Sequence, residues 1–344
     1  MIGFREIIVL SFVFMSATLT HCETIRHGMQ FEKTHRVMLE LGGQGAFDQT
    51  QAKYPCVLRV GDQWWMWYNG RSADSFTGQI GLAKSNDGLQ WTKANDGQPV
   101  FRHGPPNSFD STKVDHPAVI HFDGKFHMWY TAGDATHYKI GYATSTNGVA
   151  WKRENGASPV LGPGEPGKFD DQVVLHPAVL RGEEGTLHMW YNGVGPQESF
   201  RVGYATSRDG IHWRRQNDGD PVLTPGEVDG RMEQYVFNVM VLLEHSTFHM
   251  WYSSMFEEKY GQFAPKSSGI VYAQSKDGVH WTKDAQPVFY TGPRGSLDEY
   301  GAFACYVVRR KDALWMYYSC SHLVETNSDP RRFRTSLAIH RFGE

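Results

Sequence analysis

Cysteine is scarce in this chain, with four in 344 residues; Cys22 lies in the N-terminal run, and Cys56, Cys305 and Cys320 lie beyond it. A small disulfide-stapled scaffold is excluded, and the odd count left beyond residue 22 leaves at least one thiol without a partner in the chain. Positive charge is not in excess: 34 Lys and Arg against 37 Asp and Glu give a net charge of −3. No basic stripe interrupts the sequence, which argues against a nucleic-acid partner, since phosphate binding needs concentrated positive charge. Past residue 22 no apolar run is long enough to span a bilayer. There is no Gly-x-Ser-x-Gly elbow and no Asn-x-Ser/Thr sequon. The glycine-bearing stretch after Tyr191 joins strands, with no helix for a nucleotide phosphate to face. The one apolar run, Ile7 to Thr20 behind Arg5, has the length of a signal-peptide core, so residues 1–22 read as a secretion signal and the protein as extracellular.

What the chain does have is one phrase repeated. FHMWY (126–130) returns as LHMWY (187–191) and FHMWY (248–252), preceded by QWWMWY (63–68) and followed by ALWMYY (313–318). Turns ending in Trp follow the first four copies: SNDGLQW (85–91), STNGVAW (145–151), SRDGIHW (207–213) and SKDGVHW (275–281). Ser-x-Asp/Asn-Gly is turn chemistry, because the Asx side chain bonds local backbone and glycine takes positive φ. A fixed period built from short strands predicts a radially repeated all-β architecture. Four strands per unit and five units give a five-bladed β-propeller of four-stranded antiparallel blades, at about 46–105, 106–165, 166–228, 229–295 and 296–344. The second unit sets the pattern, with strands at Val114–Phe122, Lys125–Thr131 and Lys139–Ser145 and a fourth around Trp151, Pro117 standing at a strand start or edge. The last unit stops one strand short, so the segment 23–45 is expected to close it and remove an exposed edge. Cys56 and the pair Cys305 and Cys320 would then lie in neighbouring units, either bridged by one disulfide or left as buried thiols.

Packing needs the same residue in every unit, whereas a site on the axis needs different ones. The recurring aromatics, and His127, His188 and His249 in one repeated slot, therefore read as structural. Phe47-Asp48, Phe109-Asp110 and Phe169-Asp170 also recur and read as loop caps. The inner strands differ at one place: KYPCVL (53–58), DHPAVI (115–120), LHPAVL (175–180), FNVMVL (237–242) and FACYVV (303–308). The candidate axial residues are thus Tyr54, His116, His176 and Asn238, with Asp115 the one carboxylate at its position. Asp171 and Glu233 have no match across the copies and join Asp115 as candidate catalytic carboxylates.

HPAVIHFDGKFHMWY (116–130) and IGYATS (140–145) resemble the five-bladed propellers of the arabinanase, levansucrase and invertase type, the scaffold of glycoside hydrolase families 32, 43, 68 and 130, over about residues 46–341. The resemblance implies a sugar or glycan substrate and three axial carboxylates, of which one donates a proton while another stays ionised. Those inner strands often begin Asp-Pro; Tyr54-Pro55, His116-Pro117 and His176-Pro177 stand there in this chain.

Three readings follow. The first is a glycoside hydrolase-like enzyme using Asp115 with Glu233 or Asp171, substrate being held by Tyr54, His116, His176 and Asn238, with no cofactor. The second is a carbohydrate-binding propeller without catalysis. The third is a His-based enzyme acting on a small molecule, in which His116 and His176 hold a divalent metal ion or act as acid and base. In each the chain is of a size to act as a monomer.

Overall fold

The computed structural model describes residues 24–73, 77–134, 136–256, 267–323 and 331–342; the signal-peptide reading for 1–22, Cys22 included, lies outside the described residues. After β1 (Glu32–Leu39) come β2 (Gln51–Val60), β3 (Gln63–Arg71), β4 (Gln79–Ser85) and β5 (Thr92–Lys93). The next units are β6 (Lys113–Phe122), β7 (Lys125–Gly133), β8 (Tyr138–Ser145) and β9 (Lys152–Arg153), then β10 (Val173–Arg181), β11 (Leu187–Val194), β12 (Arg201–Ser207) and β13 (Arg214–Arg215). A short β14 (Glu227–Val228) precedes β15 (Arg231–Glu244), β16 (Thr247–Phe256), β17 (Ser268–Ser275) and β18 (Thr282–Lys283), with β19 (Phe289–Tyr290) alongside β17. The chain ends on β20 (Gly301–Arg309), β21 (Ala313–Leu323) and β22 (Arg331–Arg341). Each unit is antiparallel in chain order, and the inner strands β2, β6, β10, β15 and β20 pack side by side in a cycle that returns to β2. No helix among the described residues is long and apolar enough to cross a membrane.

The repeated letters explain why the units lock together. Trp67, Trp129, Trp190 and Trp251 are fully buried, so an unpartnered indole N–H would cost about 1–3 kcal/mol. Three of them donate that N–H to the turn glycine of the next unit: Trp67 to the Gly148 carbonyl at 3.0 Å, Trp129 to Gly210 at 2.9 Å and Trp190 to Gly278 at 3.0 Å. The Tyr317 hydroxyl donates to the Gly88 carbonyl at 2.8 Å and links the last unit back to the first. Trp251 has no such partner among the described residues, because the unit after it has no Asp-Gly turn. Each turn is held by its own side chains. Ser85 Oγ accepts the Gly88 N–H at 2.8 Å, and Asp87 Oδ1 accepts from Leu89 and Gln90. At Gly148 glycine is required twice over: φ is +70°, and a Cβ would come within 2.7 Å of the Trp65 ring. The turn tryptophans then pack edge-on between units, as Trp151 does on Trp67.

The N-terminal segment closes the last unit. β1 runs antiparallel to β22, and Ile25, Met29 and Phe31 are buried with Trp251 and Tyr318. Of the two alternatives for the cysteines, the second is found: Cys56, Cys305 and Cys320 are free buried thiols. Cys56 Sγ accepts the Val119 N–H at 3.2 Å. The fourth strands are also shorter than expected, with β9 only Lys152–Arg153.

Candidate functional site

Every inner strand is bulged at the slot where the copies disagree. Register shifts fall between Lys53 and Cys56, Asp115 and Ala118, Leu175 and Ala178, Phe237 and Met240, and Phe303 and Tyr306. The residue at each bulge is left-handed: Tyr54 at φ 56°, His116 at 48°, His176 at 53°, Asn238 at 51° and Ala304 at 49°. Such a conformation costs a non-glycine residue about 1–2 kcal/mol, so five in one slot are a feature the fold maintains. Pro55, Pro117 and Pro177 follow three of these residues, inside the strand rather than at its start, because a bulge leaves no ladder N–H to lose.

The neighbouring unit secures four of the bulges. Ser319 Oγ accepts the Tyr54 N–H at 2.9 Å, Thr131 Oγ1 the His176 N–H at 2.8 Å, Asn192 Oδ1 the Asn238 N–H at 2.9 Å and Ser253 Oγ the Ala304 N–H at 2.8 Å. At the second strand the pattern breaks, and Asp115 Oδ1 accepts the His116 N–H at 2.8 Å.

The bulges turn three rings onto one another at the hub. Ring centroids are 4.7 Å apart for Tyr54 and His116, 4.6 Å for His116 and His176, and 5.9 Å for Tyr54 and His176. Among the described residues, both ring nitrogens of His116, Nδ1 of His176 and Oδ1 of Asn238 are buried without a well-formed hydrogen bond, although the Asn238 amide stands close enough to His116, and Asn192 to His176, to favour their charged forms. His116 is 9% exposed and Asn238 2%. Burial pushes the His116 imidazole down to about 4, with Asp115 opposing the shift. Burial likewise pushes His176 well below its ordinary value, and the charges of His116 and Lys113 add to that. Burial pushes the Tyr54 hydroxyl up, with Asp115 adding. Near neutral pH the floor is therefore uncharged imidazole and phenol, with buried polar atoms that take no well-formed hydrogen bond among the described residues.

Two spaces flank this floor. On one side is a cavity of about 40 Å³ bordered by Pro55, Pro117, Pro177 and Met240. On the other a mouth of about 360 Å³ opens over Tyr54, His176 and Asn238, walled by Phe200, Phe237 and Phe303. Among the described residues lining the mouth there is no carboxylate. Lys53 is there, its ammonium over the Tyr54 ring at 4.5 Å. The Asp115 side chain is 12% exposed and lies 4.0 Å from the Lys113 ammonium.

The other two candidate carboxylates are elsewhere. Glu233 is 2% exposed and paired with Lys283 at 2.5 Å, and it accepts the Gly226 N–H at 3.1 Å. It is the fourth unit's version of a clamp found in each of the others. Asp48 holds the Tyr68 hydroxyl and Lys93, Asp110 holds Tyr130 and Arg153, and Asp170 holds Tyr191 and Arg215. Asp298 sits by Tyr318 and pairs with Lys33 at 2.5 Å. The signal was in the sequence: Trp-x-Lys/Arg recurs as Trp91-Thr92-Lys93, Trp151-Lys152-Arg153, Trp213-Arg214-Arg215 and Trp281-Thr282-Lys283. Asp171 accepts the Gly167 N–H at 2.7 Å and steadies its own loop. The structural role read from the repeats matches the contacts: His127, His188 and His249 each share a 2.6 Å hydrogen bond with a tyrosine hydroxyl in the body of the unit. His116 and His176 stand ring to ring, and no group of three His, Cys, Asp or Glu able to hold a metal ion occurs among the described residues.

The chain is similar to known proteins in sequence and in fold. An uncharacterized Mycobacterium tuberculosis protein, MT1551, is 25% identical over 209 residues, 58% of this chain and 66% of its own length. A 1,2-beta-oligomannan phosphorylase of a Thermoanaerobacter species is 27% identical over 150 residues, 39% of this chain and 49% of the phosphorylase. The matched part of the chain thus spans less than two thirds of either relative. A solved structure from work on the family of mannoside phosphorylases that contains hydrolases targeting beta-1,2 mannosidic linkages in Candida mannan superposes with a TM-score of 0.69. It covers 92% of this chain and 95% of its own at 16% identity, a likeness of fold. The family model described as beta-1,4-mannooligosaccharide phosphorylase matches residues 47–222, a little over half of the 344 residues, and the chain accordingly belongs to glycoside hydrolase family 130, among the carbohydrate-active propellers.

Proposed function

We propose that this is a five-bladed, secreted, monomeric propeller that takes one end of a β-mannoside-type glycan into its axial mouth and holds it there without two-carboxylate hydrolysis. The observation that carries the reading is the floor: His176 Nδ1 and Asn238 Oδ1 are buried with no hydrogen bond among the described residues and belong to residues lining a mouth walled by aromatic rings, with the His116 ring packed beside His176. Sugar hydroxyls can satisfy those atoms, and sugar C–H faces pack on aromatic rings. Hydrolysis on this scaffold needs two carboxyl groups about 5–9.5 Å apart across the bond. Glu233 and Asp171 are committed to structure, which leaves Asp115 alone near the floor.

A second reading follows from Asp115 itself. One protein carboxyl suffices for phosphorolysis, in which inorganic phosphate attacks the sugar and the carboxyl protonates the leaving oxygen. Lys53 and Lys113 stand close enough to lower the His176 imidazole by their charge, which marks the surroundings of the floor as favourable to phosphate. The test is incubation with β-1,4- and β-1,2-mannooligosaccharides, with and without inorganic phosphate, while binding is followed by calorimetry. Binding without turnover supports the first reading. Phosphate-dependent release of a sugar 1-phosphate supports the second. Free sugar released at equal rates with and without phosphate overturns both.

A further inference from the structure

The five residues of the axial slot are unequal in size. Tyr54 is the largest and Ala304 the smallest, and they come from the adjacent inner strands β2 and β20. Ala304 and His116 border the small cavity, whereas His176 and Asn238 border the mouth. Among the described residues, Tyr54 alone borders both spaces. Its ring is packed by rings from three other units, with centroids 4.7 Å from His116, 5.9 Å from His176 and 6.1 Å from Phe303. Its backbone is held as well: the N–H is donated to Ser319 Oγ at 2.9 Å, φ is 56°, and the next residue, Pro55, has its own φ fixed by its ring. Close packing on several sides leaves a large side chain little freedom, so the ring stands as a fixed partition across the hub.

Building on the glycan reading, we propose that the Tyr54 ring sets the depth of the mouth and thereby determines which substituents the buried end of the glycan can carry. With the ring in place, the sugar hydroxyl that faces the floor has no room to bear a substituent. Without it, the mouth would run on into the cavity of about 40 Å³ beyond. About 10–15 Å³ of such space holds one water, so the added depth takes a methyl-sized group and not a second sugar ring. The selectivity is one of exclusion: extra carbon forced against a closed, packed floor is penalised, and the same carbon in an open space is not.

The probes are methyl β-mannoside and its mono-O-methyl ethers at O2, O3, O4 and O6, titrated by calorimetry. In the unaltered protein at least one ether should bind about tenfold or more weakly than the parent sugar. Tyr54→Ala should bring that ether within about threefold of the parent, whereas Tyr54→Phe, which keeps the ring and loses the hydroxyl, should leave the gap as it was. Ala304 at φ 49° shows that the bulge accepts alanine, and a crystal structure of Tyr54→Ala should show the mouth and the cavity joined. Spaces that stay separate in that crystal overturn the proposal whatever the sugars do. A gap that Tyr54→Ala leaves unchanged, or that Tyr54→Phe closes equally well, also overturns it. Ethers that all bind the unaltered protein like the parent overturn it and leave the glycan reading standing. If methyl β-mannoside itself does not bind, the glycan reading fails and the selectivity built on it fails too.

Discussion

The Asp115 carboxylate accepts the backbone N–H of its own neighbour, His116, at 2.8 Å, at the bulge whose N–H, among the described residues, is not given to an adjacent unit's side chain. In the other four the acceptor is Ser319, Thr131, Asn192 or Ser253 from the neighbouring unit. Asp115→Asn keeps an acceptor of the same shape, so it is expected to cost under about 1 kcal/mol, whereas Asp115→Ala leaves a buried N–H unpartnered and is expected to cost about 1–3 kcal/mol. Urea denaturation measures both. If Asn costs as much as Ala, the ion pair with Lys113 rather than the bulge hydrogen bond is what Asp115 supplies.

His116 should make the fold acid-sensitive in a defined window. Its imidazole is pushed from 6.5 down to about 4 by burial, so between those values the unfolded chain takes up a proton that the native protein refuses. Stability then falls as pH drops from about 6.5 to about 4 and levels off below, by up to about 3 kcal/mol for this one group. His176 is shifted the same way and adds to the slope. His116→Gln should flatten stability against pH in that window. An unchanged slope would mean that the floor admits water or protons freely.

Glu233 has no match across the copies in the sequence and is paired with Lys283 in the structure, so its replacement separates structure from chemistry. Removing one member of a buried ion pair leaves the other uncompensated and costs about 3–5 kcal/mol. Glu233→Gln should therefore lower stability by about 3 kcal/mol, through Lys283 at 2.5 Å, while glycan binding by the folded fraction stays within twofold. Loss of binding in a variant that keeps its stability would return Glu233 to the site.

The floor and the blade interior can be told apart in the same way. His176→Ala removes an imidazole that faces the mouth and should weaken glycan binding at least tenfold with little loss of stability. His127→Ala removes a hydrogen bond to the Tyr142 hydroxyl, so it should cost about 1 kcal/mol and leave binding unchanged. Calorimetric titration beside thermal denaturation reads both. The reverse pattern would place the site on the second strands.

The repeats made the ring legible because each packing contact recurs in letters: tryptophan to the next unit's glycine, aspartate to tyrosine and to the cation after the turn tryptophan. The inner slot of Tyr54, His116, His176 and Asn238 was legible for the opposite reason, being where the letters disagree. The place of Glu233 in the clamp was not legible because the clamp is a pattern of contacts rather than of one residue type, and the longer fourth unit hides its register; pairing it with Lys283 needed the fold. The left-handed bulges were invisible too, since Tyr, His, Asn and Ala have no common sequence mark for positive φ. The pairing of Asp298 with Lys33 joins positions 265 residues apart, beyond the reach of any local pattern.

That last pair carries the closure of the ring. In four units the clamp's cation follows a turn tryptophan; in the fifth it is Lys33 on β1, whose ammonium lies 2.5 Å from Asp298. Asp298 is buried, so Lys33→Met leaves a charge with no partner and should lower stability by about 3 kcal/mol, far more than the ~0.5 kcal/mol of an ordinary surface lysine. Adding Asp298→Asn removes the stranded charge, and the double variant should recover part of the loss. The coupling from that double-mutant cycle, by chemical denaturation, is expected to reach at least 1.5 kcal/mol. A coupling near zero would mean that β1 holds β22 by its backbone and by Ile25, Met29 and Phe31 alone, with the ion pair contributing nothing to closure.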